Sequence, residues 1–128
     1  MLFKNVAIAG LAHIDAPVTL TTDQINLELK ETMDRLGIKT DVLQDIAGIK
    51  ARRMWEGDLQ ASDVATMAAE KALLDAGVDR SKIGLLVNTS VSRDFLEPST
   101  ASIVSGNLGL GDNCLNFDIA NACLAFLN

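Results

Sequence analysis

Two short apolar runs decide the fold: Ile83-Gly-Leu-Leu-Val87 and Cys114-Leu-Asn-Phe-Asp-Ile119. Runs of this length, bounded by turn residues, are typical of buried strands. Between them, a polar loop over residues 88–98 leads into a helical pattern that closes at Gly109. The order strand, helix, strand predicts a βαβ unit with parallel strands. Because Ile83–Val87 is apolar throughout, we expect a central strand that is covered on both faces.

The same alternation of strand and helix patterns extends towards the start of the chain. Val6–Leu11 predicts a further buried strand. Thr21 and Gln24 have the spacing of a capping box, which predicts the start of an amphipathic helix. Ser62 predicts the start of another helix, ended by Gly77, whose inner stripe of alanines allows close packing on a sheet. The chain is therefore predicted to be α/β, with a mostly parallel sheet and packed helices.

Composition excludes several classes of protein. The chain has 128 residues, 11 basic and 17 acidic side chains, a net charge of -6 and 48% hydrophobic residues. A chain this apolar is not disordered, and an acidic chain without a basic run is not expected to bind nucleic acid. No apolar stretch reaches the roughly 18 residues of a membrane-spanning helix. Two cysteines without secretory features indicate reduced thiols and a cytoplasmic protein.

Cys123 is the first candidate for chemistry, because it follows the second strand where a helix is predicted to begin. The positive end of a helix favours a thiolate, and the flanking alanines leave room for a substrate carbonyl. The alternative is a buried structural cysteine, which is the commoner state of a free thiol. Cys114 has only this second interpretation. Nothing in the sequence places His13, the single histidine, near Cys123.

Glu97 and a basic cluster are the other candidates. Pro98 biases the backbone of Glu97 towards an extended geometry, and its apolar neighbours suit a carboxyl to general-base chemistry. The alternative is a carboxylate that complements the dipole of the helix beginning near Pro98. The cluster of Lys50, Arg52 and Arg53 is interpreted either as contacts to the phosphates of a ligand or as a solvated, acid-paired rim. No glycine-rich nucleotide loop and no metal-ligand spacing are present in the sequence.

Four segments together resemble the thiolase superfamily, and more narrowly its β-ketoacyl-ACP synthase III-like enzymes: Ala47–Arg53, Ile83–Ser92, Glu97–Ala101 and Phe117–Phe126. The most specific of these signals is Asp-x-Ala-x-Ala-Cys at residues 118–123, and the match runs from Lys4 to Asn128. Within the superfamily, residues 8–17, 36–42 and 88–109 are similar to the long-chain acyl-CoA condensing enzymes of bacterial olefin biosynthesis.

The resemblance implies a five-layered αβαβα fold, of which residues 1–128 form the N-terminal part, cut just after the nucleophile. It places the family's nucleophile on Cys123. It places the substrate-activating carboxylate, which acts in the neighbouring subunit's site, on Glu97. The family's histidine and asparagine fall outside residues 1–128, so this stretch alone is expected to be inactive. The last helical pattern is too short to be stable by itself, which also indicates a longer parent protein.

The implied activity is that of a condensing acyltransferase. Long-chain acyl-CoA acylates the cysteine, and a second acyl-CoA then condenses with the acyl group without decarboxylation to give a β-keto acid for olefin and hydrocarbon biosynthesis. No cofactor is implied besides acyl-CoA as substrate. The implied partners are a second copy of the chain, in a homodimer, and downstream enzymes of olefin biosynthesis.

Two alternatives stay open. The first is a decarboxylative β-ketoacyl-ACP synthase III of fatty-acid biosynthesis, which uses malonyl-ACP. Those enzymes usually carry Phe where Glu97 stands, and they hold the CoA adenine with Trp and Arg where Val42 and Ile46 stand. The Glu97 carboxylate discriminates between non-decarboxylative and decarboxylative condensation, because loss of CO2 generates a carbanion without a base. The second alternative is a non-catalytic dimerisation fragment.

Overall fold

The structure is a computed structural model that describes residues 4–39 and 42–127. The chain divides into two compact units, one formed by Met1–Ile14 together with Leu59–Asn128 and the other by Asp15–Asp58. In the two described ranges, no helix has both the length and the apolar character needed to cross a membrane.

The unit Asp15–Asp58 contains an antiparallel pair of strands and two described helices. These elements are, in chain order, β1 (Val18–Thr21), α1 (Thr22–Leu36), α2 (Val42–Ala47) and β2 (Ala51–Met54). The predicted capping box is confirmed, since the Thr21 hydroxyl accepts from the Gln24 N–H at 3.1 Å and Gln24 Oε1 accepts from the Thr21 N–H at 2.8 Å. Helix α1 ends at Gly37, whose φ of 66° suits glycine.

The other unit contains the predicted βαβ arrangement. Its elements are α3 (Ala61–Ala76), a 3-10 helix (Arg80–Lys82), β3 (Leu85–Asn88), α4 (Thr100–Asn107), β4 (Leu115–Asp118) and a second 3-10 helix (Ala122–Leu127). Strands β3 and β4 are parallel, with Leu85 opposite Leu115 and Asn88 opposite Asp118. The prediction of parallel strands joined through a helix is therefore confirmed.

Helix α4 is the centre of this unit, because it packs against α3, β3 and β4. Its inward residues are fully buried, with Leu108 just beyond its end only 1% exposed. Gly109 follows with a φ of 62° and closes the helix as predicted.

The expectation that Ile83–Val87 is covered on both faces is wrong for the described part of the chain. Residue burial alternates along β3 and β4, so that one face lies towards α4 and the other is open. The open face carries large apolar side chains, namely Leu85, Val87, Leu115 and Phe117. The cause is that the described helices that contact the two strands supply only one covering layer.

The prediction of a strand over Val6–Leu11 is also wrong for this structure. Residues 6–11 form no helix or strand, and Val6, Ile8 and Leu11 are 74%, 89% and 89% exposed. The physical reason is that a strand needs a neighbour for its backbone hydrogen bonds, and the described residues provide none.

Helix α3 begins two residues earlier than predicted, and Ser62 does not cap it. The N-cap residue is Gln60, whose N–H donates to the Asp63 carboxylate at 2.9 Å. Ser62 is buried, and its N–H donates to Asp94 Oδ1 at 3.0 Å. The N–H groups of Gln60 and Ser62 at the helix start are therefore bonded to carboxylates rather than to the serine hydroxyl. Its end at Gly77, with a φ of 62°, is confirmed.

Candidate active site

The carboxyl ends of β3 and β4 lie side by side, because the two strands are parallel neighbours. The Asn88 side-chain amide donates to Asp118 Oδ1 at 3.1 Å, and the Asn88 carbonyl accepts from the Ile119 N–H at 2.8 Å. The segment that follows β3 carries Glu97, and the segment that follows β4 carries Cys123. Both predicted site residues therefore belong to segments that leave the same edge of the sheet, which is where open α/β sheets bind ligands.

The start of α4 is held by Asp118. Its two carboxylate oxygens accept from the N–H groups of Thr100 at 3.0 Å and Ala101 at 2.8 Å. The next N–H, that of Ser102, donates to the hydroxyl of the N-cap residue Ser99 at 3.1 Å. The N–H groups of Thr100 and Ala101 lie in the first turn, where a helix supplies no backbone acceptor, so an outside acceptor must satisfy them. A carboxylate also complements the positive end of the helix dipole.

This finding bears on the alternative interpretation of Glu97. The carboxylate that accepts the first two N–H groups of α4 is that of Asp118, so Glu97 is not the acceptor of these two groups. Glu97 is exposed, and its peptide bond to Pro98 is cis. Its predicted apolar surroundings are open as well, since Phe95 is 58% and Leu96 85% exposed.

Cys123 lies in the 3-10 helix Ala122–Leu127, and its thiol is exposed. The expectation of an α-helical first turn is thus wrong, because the described residues after β4 form a short 3-10 helix. The preceding Ala122 has a φ of 44°, which is uncommon for a residue with a Cβ atom. Ala125 is only 2% exposed and holds the turn against the unit, which leaves Cys123 outward.

The two cysteines differ in their exposure. Cys114 is 7% exposed, and its thiol donates to the Leu115 carbonyl at 3.5 Å. This is the buried state predicted for it. Cys123 is exposed and therefore does not fit the buried, structural alternative.

The other sequence candidates lie elsewhere in the chain. His13 is an exposed residue in the stretch before β1, which has neither helix nor strand. The basic cluster belongs to the unit Asp15–Asp58. There, the Arg53 side chain donates to the backbone carbonyl of Ala16 at 3.5 Å and to that of Pro17 at 3.2 Å. These bonds give Arg53 a structural role within that unit.

Sequence reasoning missed Asn88, the role of Asp118 and the backbone of Ala122. The pairing of Asn88 with Asp118 was accessible, because polar residues at the ends of two neighbouring parallel strands meet at one sheet edge, whereas the bonds from Asp118 to the start of α4 were not. The positive φ of Ala122 has no signal in the sequence, since alanine is not a residue type that favours this conformation.

The chain is similar in fold and in sequence to thiolase-like proteins, namely OleA and the β-ketoacyl-ACP synthase III enzymes. The acyl-CoA:acyl-CoA alkyltransferase of Xanthomonas campestris pv. campestris is 72% identical over 128 residues, which cover 100% of this chain and 38% of the relative. The crystal structure of cerulenin-bound OleA from Xanthomonas campestris has a TM-score of 0.89 at 72% identity, with 100% of this chain and 38% of that chain covered.

Two further relatives have synthase III names. The crystal structure of 3-oxoacyl-(acyl carrier protein) synthase III from Xanthomonas oryzae pv. oryzae has a TM-score of 0.90 at 73% identity, covering 100% of this chain and 38% of that one. The β-ketoacyl-ACP synthase III of Ehrlichia canis is 34% identical over 124 residues, 97% of this chain and 36% of the relative. The chain thus spans 36% to 38% of the length of these relatives. No family model matches the chain.

Proposed function

We propose that this chain is part of a longer acyltransferase that joins two long-chain acyl-CoA molecules without decarboxylation, in olefin and hydrocarbon biosynthesis. One observation carries the proposal. An exposed cysteine and an exposed glutamate follow neighbouring parallel strands, while a different carboxylate, Asp118, fills the structural position that would otherwise explain the glutamate. The identity of 72% to a relative named for acyl-CoA:acyl-CoA alkyl transfer supports the same activity.

In the first half-reaction, Cys123 is the nucleophile. Its thiolate attacks the thioester carbonyl of an acyl-CoA, the bond from the carbonyl carbon to the CoA sulfur breaks, and CoA leaves as the thiolate. The acyl group is then held on Cys123 as a new thioester. Covalent capture of this kind divides one difficult substitution into two easier steps.

In the second half-reaction, Glu97 is the general base. It removes a proton from the α-carbon of a second acyl-CoA, and the carbanion attacks the carbonyl of the acyl group on Cys123. A carbon–carbon bond forms, the bond to the Cys123 sulfur breaks, and the thiolate is regenerated. Water then hydrolyses the remaining CoA thioester to give a β-keto acid and free CoA. A base is needed because no CO2 is lost to generate the carbanion.

The second candidate function is decarboxylative condensation with malonyl-ACP. The observation that favours it is the synthase III name of the Xanthomonas oryzae structure at 73% identity. In that reaction, loss of CO2 from the malonyl group supplies the carbanion, so Glu97 would have no proton to remove.

The test uses the complete enzyme, incubated with long-chain acyl-CoA alone and with malonyl-ACP added, with products identified by mass spectrometry. We expect β-keto acid, or the ketone formed from it, from acyl-CoA alone. We expect Cys123→Ala to abolish the product and Cys114→Ala, the matched control at the buried thiol, to retain it. Product that forms only with malonyl-ACP would establish the second candidate. Absence of acyl transfer under both conditions would leave a non-catalytic dimerisation role.

We further propose a cytoplasmic homodimer that needs no cofactor besides acyl-CoA and passes its product to later enzymes of olefin biosynthesis. In it, Glu97 acts in the partner subunit's site. Mixing Cys123→Ala and Glu97→Ala subunits tests this arrangement. Random pairing in a two-fold dimer should restore about a quarter of wild-type activity, because one site in each mixed dimer is complete. If Glu97 acts within its own subunit, the mixture stays inactive.

A further inference from the structure

Asp118 joins three elements at the edge of the sheet. It ends β4, it accepts the first two N–H groups of α4, and it accepts the side-chain amide of Asn88 at the end of β3. All three bonds lie between 2.8 and 3.1 Å. Its carboxylate therefore fixes where the segment entering α4 stands relative to the segment leaving β4.

Those two segments are the ones that carry the proposed catalytic residues. Glu97 lies three residues before Thr100, whose N–H is bound to Asp118. Cys123 lies five residues after Asp118 on the other side. The intervening chain is itself constrained, since the Ile119 N–H donates to the Asn88 carbonyl at 2.8 Å and the Leu124 N–H to the Asn121 carbonyl at 2.9 Å.

We propose that Asp118 is a positioning residue that holds both the Glu97 segment and the Cys123 turn at the edge of the sheet, so that each is presented correctly to the site in which it acts, an inference that rests on the proposed function. The bonding requires a carboxylate and not merely a polar side chain. Oδ1 accepts from Ala101 and Asn88, and Oδ2 accepts from Thr100, so both oxygens must be acceptors. An asparagine would present its own N–H group to one of these donors and lose at least one bond.

The effect on catalysis should be unequal between the two half-reactions. Acylation needs Cys123 and the first acyl-CoA, whereas condensation also needs a correctly placed Glu97, which in the proposed dimer comes from the other subunit. A displacement of about 1 Å can cost a reaction about a hundredfold when it misplaces a reacting group. Loss of the Asp118 carboxylate should therefore slow condensation more than acylation.

The experiment compares Asp118→Asn with Asp79→Asn in the complete enzyme, with acyl-CoA alone. Asp79 is a matched control, because its carboxylate accepts the Ser81 N–H at 2.8 Å at the start of the 3-10 helix Arg80–Lys82. The burst of CoA release measures acylation and the fraction of active enzyme, and the steady rate measures condensation. For Asp118→Asn we expect a burst close to wild type, an unchanged KM and a kcat lowered about tenfold or more. Asp79→Asn should match wild type in the burst, in KM and in kcat.

Hydrogen exchange supplies a readout that does not depend on turnover. Asp118→Asn should speed amide exchange both in residues 89–101 and in residues 119–127, while Asp79→Asn should change neither. Equal loss of burst and steady rate, or faster exchange in only one of the two segments, would overturn the inference. If the wild-type enzyme forms no β-keto acid or ketone from acyl-CoA alone, the proposed function fails, and the exchange data still decide whether Asp118 couples the two segments.

Discussion

Two apolar runs of similar length end in different environments in this molecule. Leu85–Asn88 pairs with a parallel strand and has α4 on one face, whereas residues 6–11 form no strand and expose Val6, Ile8 and Leu11 almost completely. Both runs have the composition of a buried strand. The difference shows that apolar composition favours burial, but a strand forms only where another strand supplies backbone hydrogen bonds. The proposed site is built on the run that has such a partner.

The largest expected difference between the two regions is in stability. Leu108→Ala removes a side chain that is 1% exposed beside α4, and it should lower the free energy of unfolding by about 2–5 kcal/mol through lost burial and a residual cavity. The matched control is Leu11→Ala, at a position that is 89% exposed. This substitution should change the free energy of unfolding by less than about 0.5 kcal/mol. Urea unfolding measures both. Equal losses would show that residues 6–11 are packed as tightly as α4.

A smaller effect tests a close contact made by residues 6–11. A Cβ atom on Gly10 would lie 2.7 Å from the Ala76 Cβ, so Gly10→Ala should destabilise the protein by about 1–3 kcal/mol. Gly84→Ala is the control, because a Cβ there meets nothing within 4 Å. Unfolding of the double variant Gly10→Ala/Ala76→Gly should recover part of the loss. No recovery would contradict direct contact between these two residues.

The smallest expected effect is on the pH dependence of stability, at the surface of the unit that contains α4. Hydrogen bonds from Ser81 hold the pKa of the Asp79 carboxyl below its usual value. A lowered pKa in the folded state means that ionised Asp79 adds stability at neutral pH and that this stability is lost as the pH falls through the folded pKa. Asp79→Asn should therefore narrow the difference in stability between neutral and acidic pH slightly. A variant whose acid unfolding coincides with that of wild type would show that these bonds add nothing.

Much of the unit that contains β3, α4 and β4 could be predicted from sequence, because the patterns that specify its elements are local. The runs Ile83–Val87 and Cys114–Ile119 and the turn glycine Gly109 each specify their own element in this unit, as the capping box at Thr21 does in the other unit, and the structure confirms them. Cys123 and Glu97 were named from the resemblance and from local chemistry. Their assignment as catalytic residues stays a prediction, as does the assignment of residues 1–128 to a single domain.

The remaining features depend on contacts between distant residues. No local pattern showed that Asp118, rather than Glu97, would occupy the start of α4, because the choice depends on where β4 ends in space. The missing strand at residues 6–11 likewise depends on a partner elsewhere in the chain. The backbone of Ala122 is set by the turn between β4 and the buried Ala125, not by its own side chain.

The central claim is that Cys123 carries the acyl group and that Glu97 activates the second acyl-CoA. The most direct measurement is CoA release over time by Glu97→Gln in the complete enzyme, with acyl-CoA as the only substrate. The account predicts a burst of CoA that matches the content of Cys123, followed by a steady rate lowered by about 10²–10⁴-fold, since only general-base catalysis is removed. A steady rate equal to that of wild type would contradict the account.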